Sequence, residues 1–167
     1  MVRQARPFLK WAGGKRQLLG QLQSYFPQEL NGKGIIKRYY EPFLGSGAVF
    51  FWVMQNCEIE KACINEFNPE IYLCYVSIQK KVEGLIKKLK VLEKRYHALS
   101  GPGQEEFYYR LRSEYNQTRA GINFEEFEAD NYVKRSAMTI FLNRTCFNGL
   151  YRVNSEGDFN VPAGNLR

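Results

Sequence analysis

Two acids, two glycines, a lysine and a tryptophan in the first seventy residues have the types and spacing to grip a small polar ligand. In EPFLGSGAVFF, residues 41–51, Gly45 and Gly47 sit where a strand passes into a helix, and glycines there let the backbone approach a ligand closely. Glu66 lies 21 residues beyond Gly45, at the end of the next strand, where a carboxylate can accept both hydroxyls of a ribose. A dinucleotide fingerprint wants a third small residue at position 50, and Phe50 stands there, which argues against NAD. Taken alone, two glycines and a later acid also suit a plain turn between strand and helix.

A second stretch, RPFLKWAGGKRQLL at residues 6–19, adds to the chemistry. Gly13 and Gly14 open a helix and place Lys15 in its first turn, where a cation opposes the helix dipole. A bound carboxylate would relieve that opposition, because helix N-termini and lysines both attract anions. Trp11 offers a flat apolar wall, or equally an anchor for an N-terminal arm. Glu41, beside the glycine turn, suits a cationic group. S-adenosylmethionine carries a ribose, an adenine, a carboxylate and a positive sulfur, and would use all these parts.

These residues need a scaffold. Leu18, Leu19, Leu22, Tyr25 and Phe26 recur at helical spacing, predicting a helix over 14–26. Asn31 to Gly34 is turn chemistry, and Ile35 to Phe43 reads as a buried strand. Ala48 to Gln55 reads as a short helix and Glu60 to Asn65 as a second strand. Asn68-Pro69 then starts a helix. Strand, glycine turn, helix and strand make a βαβ unit, so the class is α/β with a parallel, Rossmann-like sheet. From about residue 78 the pattern is helical. Val82 to Tyr96 fits one helix, Ser100-Gly-Pro-Gly breaks it, Phe107, Leu111 and Tyr115 mark another, and Val133 to Phe141 a third. The expected division is a cofactor-binding part at 1–77 and a helical part at 78–167, with a β-hairpin over about 144–162 turning at Asn154 to Gly157.

Bulk properties narrow the partners. The 167 residues suffice for a domain with a real core, and 44% hydrophobic with 25% charged content is globular. Net charge is +7, which favours a polyanion. It is concentrated: residues 1–40 hold eight Lys/Arg against one Glu, whereas 121–130 hold three Glu and one Asp. The longest apolar run, Ala48 to Met54, is too short to span a bilayer, and no secretory leader is evident. Four cysteines without a CxxC pair read as reduced, buried thiols, consistent with a cytoplasmic protein. The single His97 reads as a surface helix residue, so no metal site is expected.

The segments FLKWAGGK, YEPFLGSGAVFF, INEFNPE and NRTCFNGLYRVNSEGDFNVPAG occur in this order. In that order they resemble the blocks of the Dam-type DNA adenine methyltransferases, from Arg6 to Gly164. The resemblance implies S-adenosylmethionine as cofactor and double-stranded DNA as partner, with methyl transfer to the N6 amine of adenine, often within GATC. It implies cofactor contacts for Trp11, Lys15, Glu41, Phe43, Gly45, Gly47 and Glu66; the ribose acid is often Asp in relatives. It gives Phe147 the place of an aromatic wedge beside a flipped base. Asn148, Leu150, Arg152 and Pro162 take positions that touch bases or nearby backbone. Physical chemistry agrees, since arginine reads guanine O6 and N7 and an inserted aromatic offsets lost stacking. Lys134 and Arg135 are expected to contact phosphates.

The family's Asp-Pro-Pro-Tyr motif, which holds the amine and stacks on the base, has no counterpart, because the six prolines are all isolated. In relatives it follows the hairpin. The expectation is therefore the front part of an adenine methyltransferase, inactive alone and without catalytic residues of its own. The alternatives are a standalone DNA- or cofactor-binding module and one half of a split enzyme. A missing C-terminal segment or a dimer would cover apolar surface left open. The resemblance places the protein in the cytoplasm, with the nucleoid of a prokaryote or phage host, in repair, restriction-modification or phage biology.

Overall fold

The computed structural model of the protein describes residues 5–11, 15–27, 34–124 and 129–164, the side chains of residues 16 and 129 excepted. The predicted turn at 31–33 and the Gly13-Gly14 pair lie outside the described residues. The chain divides into two compact units, Met1–Phe67 and Asn68–Arg167.

In the first unit, the predicted helix is a mixed turn of helix. A 3-10 segment Lys15–Leu18 leads into α1, Leu19–Leu22, and out through a 3-10 segment Gln23–Tyr25. The predicted strand 35–43 is two short strands, β1 (Ile35–Ile36) and β2 (Tyr39–Glu41), separated by exposed Lys37 and Arg38. After α2 (Ala48–Asn56) come β3 (Glu58–Ile59) and β4 (Ala62–Ile64). β1 pairs in parallel with β3, and β2 with β4 in the register Tyr39 to Ala62, Tyr40 to Cys63 and Glu41 to Ile64. A strand, a crossover helix and a parallel strand are thus present, so the class is α/β.

The strand 35–43 is not buried as the sequence suggested. Ile35 is 65% exposed, Tyr40 64% and Phe43 71%. Two-stranded sheets cannot cover both of their faces, so the apolar content that reads as burial in sequence faces outward here. Period-two alternation survives in β2, where Tyr39 and Glu41 are half-buried and Tyr40 is not.

The second unit is helical. α3 (Pro69–His97) is capped by Asn68, whose side chain accepts from the Glu70 and Ile71 amides at 3.0 and 3.4 Å. It bends at Lys81, where φ −145° and ψ 42° leave the helical region. Its first turns already bury Ile71, Leu73, Cys74 and Ser77, and Ser77 Oγ meets Ser136 Oγ at 2.8 Å on α5 (Ala129–Thr145). The division between the two compact units lies at this helix's cap, between Phe67 and Asn68. α4 (Gly101–Gln117) starts after the Ser100 break. Tyr96, Phe107, Tyr108, Tyr115, Phe141 and Phe159 anchor the core, with edge-to-face pairs such as Tyr96–Phe141 at 5.4 Å. No cysteine is in a disulfide; Cys57, Cys74 and Cys146 are buried, but Cys63 is exposed, against expectation. His97 is exposed on α3. No described helix is long and apolar enough to cross a membrane.

Candidate functional site

The ends of β2 and β4 build the pocket. Past the last strand pair, the Asn65 amide donates to Glu41 O at 2.9 Å and the Leu44 amide donates to Asn65 O at 2.9 Å. This zips the two connecting loops together and brings residues 45 and 66 side by side. The Gly45 N–H donates to Glu66 Oε2 at 2.5 Å, so the 21-residue spacing becomes one hydrogen bond. Gly45 and Gly47 have φ of +54° and +73°, a left-handed backbone that other residues resist. A Cβ on Gly45 would lie 3.2 Å from Trp11 Cδ1, which fixes how closely the indole covers the loop. Gly47 caps α2, and its amide donates to Leu44 O at 2.8 Å.

A cavity of about 190 Å³ opens there, lined by Trp11, Lys15, Glu41, Phe43, Gly45 and Glu66, with Leu44, Ser46, Ala48 and Val49. Six of the seven sequence-predicted pocket residues thus converge; Gly47 shapes the loop beneath. The volume is below the ~300 Å³ at which ligand pockets usually begin, leaving room for only part of a nucleoside-sized ligand. Its donor set suits a ligand with hydroxyls, a carboxylate and a cation.

Glu41 is the most constrained of these groups. Tyr39 Oη donates to Glu41 Oε2 at 2.5 Å. Burial pushes the Glu41 carboxyl above its ordinary range, while the Tyr39 hydrogen bond, the Lys15 charge and the Phe50 amide pull it back. Burial, with Glu41 beside it, holds the Tyr39 phenol far up as well.

The second candidate surface is the C-terminal loop. The expected hairpin is reduced to two isolated antiparallel bridges, Cys146 with Ala163 and Val153 with Phe159. Its tight turn is as expected: Asn154 Oδ1 accepts from the Glu156 and Asp158 amides at 3.1 and 2.8 Å, and Gly157 takes φ +85°. Backbone bonds such as Asn160 N–H to Arg152 O at 3.1 Å also cross the loop, and helix α4 adds side-chain bonds to its returning half. Asn116 Nδ2 donates to Phe159 O at 3.1 Å and Asn116 Oδ1 accepts from the Phe159 amide at 3.0 Å. Tyr108 Oη and Arg112 Nη1 both donate to Val161 O, at 2.8 and 3.1 Å. Phe147 is 51% exposed on a 3-10 turn whose Asn148 has φ +55°, and its amide donates to Pro162 O at 2.9 Å. Arg152 is exposed, with Nε donating to Asn160 Oδ1 at 2.9 Å, and Asn148 and Pro162 are exposed too. Leu150 instead packs on the core.

Arg135 corrects a sequence expectation. It is 2% exposed and grips Glu70 with Nε and Nη2 at 2.6–3.0 Å, while Nη1 donates to Tyr115 O at 2.8 Å. A guanidinium so enclosed cannot reach a phosphate; it joins α3, α4 and α5. Its neighbour Lys134 is exposed, paired with Glu114 at 2.6 Å. Lys134 shares the rim of a cavity of about 720 Å³ with Lys87, Lys88, Arg95 and Arg110, cations that sequence inspection did not single out.

A family model described as D12 class N6 adenine-specific DNA methyltransferase matches residues 11–167. The chain belongs to this family. Among its relatives, the Type II methyltransferase M.MjaIII of Methanocaldococcus jannaschii is 43% identical over 164 residues, 98% of this chain and 54% of that one. The Type II methyltransferase M1.LlaDCHI of Lactococcus lactis is 38% identical, covering 97% and 49% of the two chains. The DNA adenine methylase of Haemophilus influenzae is 34% identical, covering 95% and 47%. This D12-class chain spans about half the length of the curated relatives it matches.

Sequence reasoning missed Tyr39 and Asn116 in the D12-class chain. Tyr39 was legible, since it stands two residues before Glu41 and strands repeat every two residues. Asn116 carries no local signal, because its partner is 43 residues away.

Proposed function

We propose that this chain supplies the S-adenosylmethionine pocket and the DNA-reading loop of an enzyme that methylates N6 of adenine in duplex DNA, within GATC. The observation that carries the reading is the convergence of Trp11, Lys15, Glu41 and Glu66 on one cavity at the ends of parallel strands. When bound, the cofactor supplies an electrophilic methyl group on a positive sulfur. Glu66 would accept the ribose hydroxyls, Lys15 would attract the carboxylate, and Glu41 would face the positive charge. Trp11 and Phe43 offer ring faces for an apolar or aromatic part. The first unit is the start of a Rossmann-like sheet, and its exposed Ile35, Tyr40 and Phe67 would take further strands or a partner.

The second unit serves as the helical target-recognition domain. Exposed Phe147 fits an aromatic wedge, and Arg152 beside the turn fits guanine recognition. Lys134 and the cations sharing its rim fit phosphates. Leu150 contributes support more than contact. Such an enzyme works on DNA, in the cytoplasm of a prokaryote or phage host.

Residues 1–167 contain no Asp-Pro-Pro-Tyr, the motif that would supply the acceptor pair for an adenine amine. These residues alone are therefore expected to bind and not to transfer, and a segment carrying that motif, in the same or a second chain, would restore transfer. Calorimetry tests the reading: S-adenosylmethionine or its demethylated product binds the wild type, and Glu66→Ala weakens binding by roughly tenfold, the loss of a charge-assisted pair of hydrogen bonds. Equal affinity in both proteins would refute the pocket.

A further inference from the structure

The Tyr39 phenol holds the Glu41 carboxylate through one oxygen in the wall of the cavity. We propose that Tyr39 is a positioning residue, whose hydroxyl fixes the Glu41 carboxylate as the anion that receives the cation-bearing methionyl end of the cofactor. The inference rests on the cofactor reading above and deepens it.

The geometry carries it. Tyr39 and Glu41 share one face of β2, two residues apart, and the Tyr39 Oη to Glu41 Oε2 distance is 2.5 Å. The strand pairing with β4 fixes the register of both backbones, Tyr39 opposite Ala62 and Glu41 opposite Ile64. The Tyr39 ring is itself braced by Phe50 of α2, with centroids 6.0 Å apart. A carboxylate held through one oxygen in this way has few orientations left, and it lines the cavity. A rigid anion in a half-buried wall discriminates for a cation more strongly than a mobile surface acid, because less reorganisation accompanies binding.

Among the described residues, the charged and titratable groups around Glu41 are few. Tyr39 lies on its own strand. Lys15 approaches from the N-terminal 3-10 segment, and Glu66 lines the same cavity from the loop after β4. The Phe50 amide of α2 also pulls the Glu41 carboxyl down. Burial favours the neutral carboxyl, and the Tyr39 hydrogen bond opposes this. The sign follows: cofactor binding weakens as pH falls through the raised Glu41 pKa. Removing the Tyr39 hydroxyl raises that pKa further and moves the loss to higher pH.

The test is a calorimetric pH series with S-adenosylmethionine on the wild type, Tyr39→Phe and Glu41→Gln, each checked for an unchanged circular dichroism spectrum. In the wild type, affinity falls as pH is lowered through one step. Tyr39→Phe moves the step upward in pH and leaves affinity above the step within about threefold, the scale of one weak hydrogen bond. Glu41→Gln abolishes the step and binds more weakly than the wild type at high pH. A uniform loss in Tyr39→Phe with an unmoved step would mean a merely structural tyrosine and would overturn the proposal. So would a step that persists in Glu41→Gln. If the wild type binds at no pH, the cofactor reading itself fails, and the two failures are thereby told apart.

Discussion

The glycine loop at 44–47 and the C-terminal loop at 146–163 are both irregular and both contain left-handed residues, yet they are held in different ways. The glycine loop hangs from its own sheet. Leu44 and Asn65 bond backbone to backbone, and Glu66 reaches Gly45 across 21 residues. The C-terminal loop has two isolated bridges and a few backbone bonds such as Asn160 N–H to Arg152 O, and side chains of α4, 43 to 53 residues upstream of what they bind, hold its returning half. A loop hung on strand ends inherits the rigidity of the ladder. A loop hung on a helix face depends on how that helix is seated, so distant core changes reach it.

The seating of α4 is therefore where the comparison breaks first. Arg135 donates to Tyr115 O, and the Tyr115 ring meets Phe159 of the loop edge-on at 6.2 Å. Arg135→Ala leaves Glu70 buried without its partner, and the second unit is expected to lose about 3–5 kcal/mol in urea unfolding. The pair is buried on both sides, so salt changes this little. Asn116→Ala comes next. It strands the Phe159 amide and carbonyl, at about 2–3 kcal/mol, and amide exchange at 152–160 is expected to quicken. Cofactor affinity is expected to stay within twofold for Asn116→Ala, since the glycine loop shares none of these bonds. Coupled loss of both would erase the distinction between the loops.

The same distinction explains what the sequence disclosed. The glycine loop was legible because its parts lie within one βαβ unit, and the glycines, the acid and the helix cap announce themselves by local spacing. Asn68 and the Asn154 turn were legible for the same reason. The strands were over-read: Ile35, Tyr40 and Phe43 have the apolar content of a core strand, but burial depends on what covers them. The hairpin was over-read too, because turn residues at 154–157 do not reveal how much of the flanking chain pairs with itself and how much with a helix. Arg135 was misread since a cation beside Lys134 looks like surface, while its place on α5 points it at Glu70, 65 residues earlier. Only the fold puts those two together.

Gly45→Ala probes the other loop. The residue must take φ +54°, which costs an L side chain about 1–2 kcal/mol, and its Cβ presses on Trp11. The expected outcome is a small drop in unfolding free energy of the first unit, together with shifted Trp11 fluorescence and weakened cofactor binding. Unchanged amide exchange at 152–160 would sharpen the comparison from the opposite side.

The smallest stability effect is expected at Lys134, next to Arg135 and facing the other way. Its pair with Glu114 is exposed on both sides, and such pairs contribute about 0.5 kcal/mol or less. Lys134→Ala is therefore expected to leave urea unfolding nearly unchanged and the C-terminal loop as protected as in the wild type. DNA is where it differs. A lysine that neutralises one phosphate releases about one counterion, so its loss lowers the slope of log affinity against log salt by about 0.9. The loss falls equally on GATC and scrambled duplexes, whereas Arg152→Ala weakens the GATC duplex more, by about 1–3 kcal/mol if it reads a guanine. Fluorescence anisotropy across a salt series measures both. A slope unmoved by Lys134→Ala would remove it from the DNA surface and leave it as a partner of Glu114. The two neighbours would then differ only in burial, and the phosphate contacts would have to come from Lys87, Lys88, Arg95 and Arg110 on the same rim.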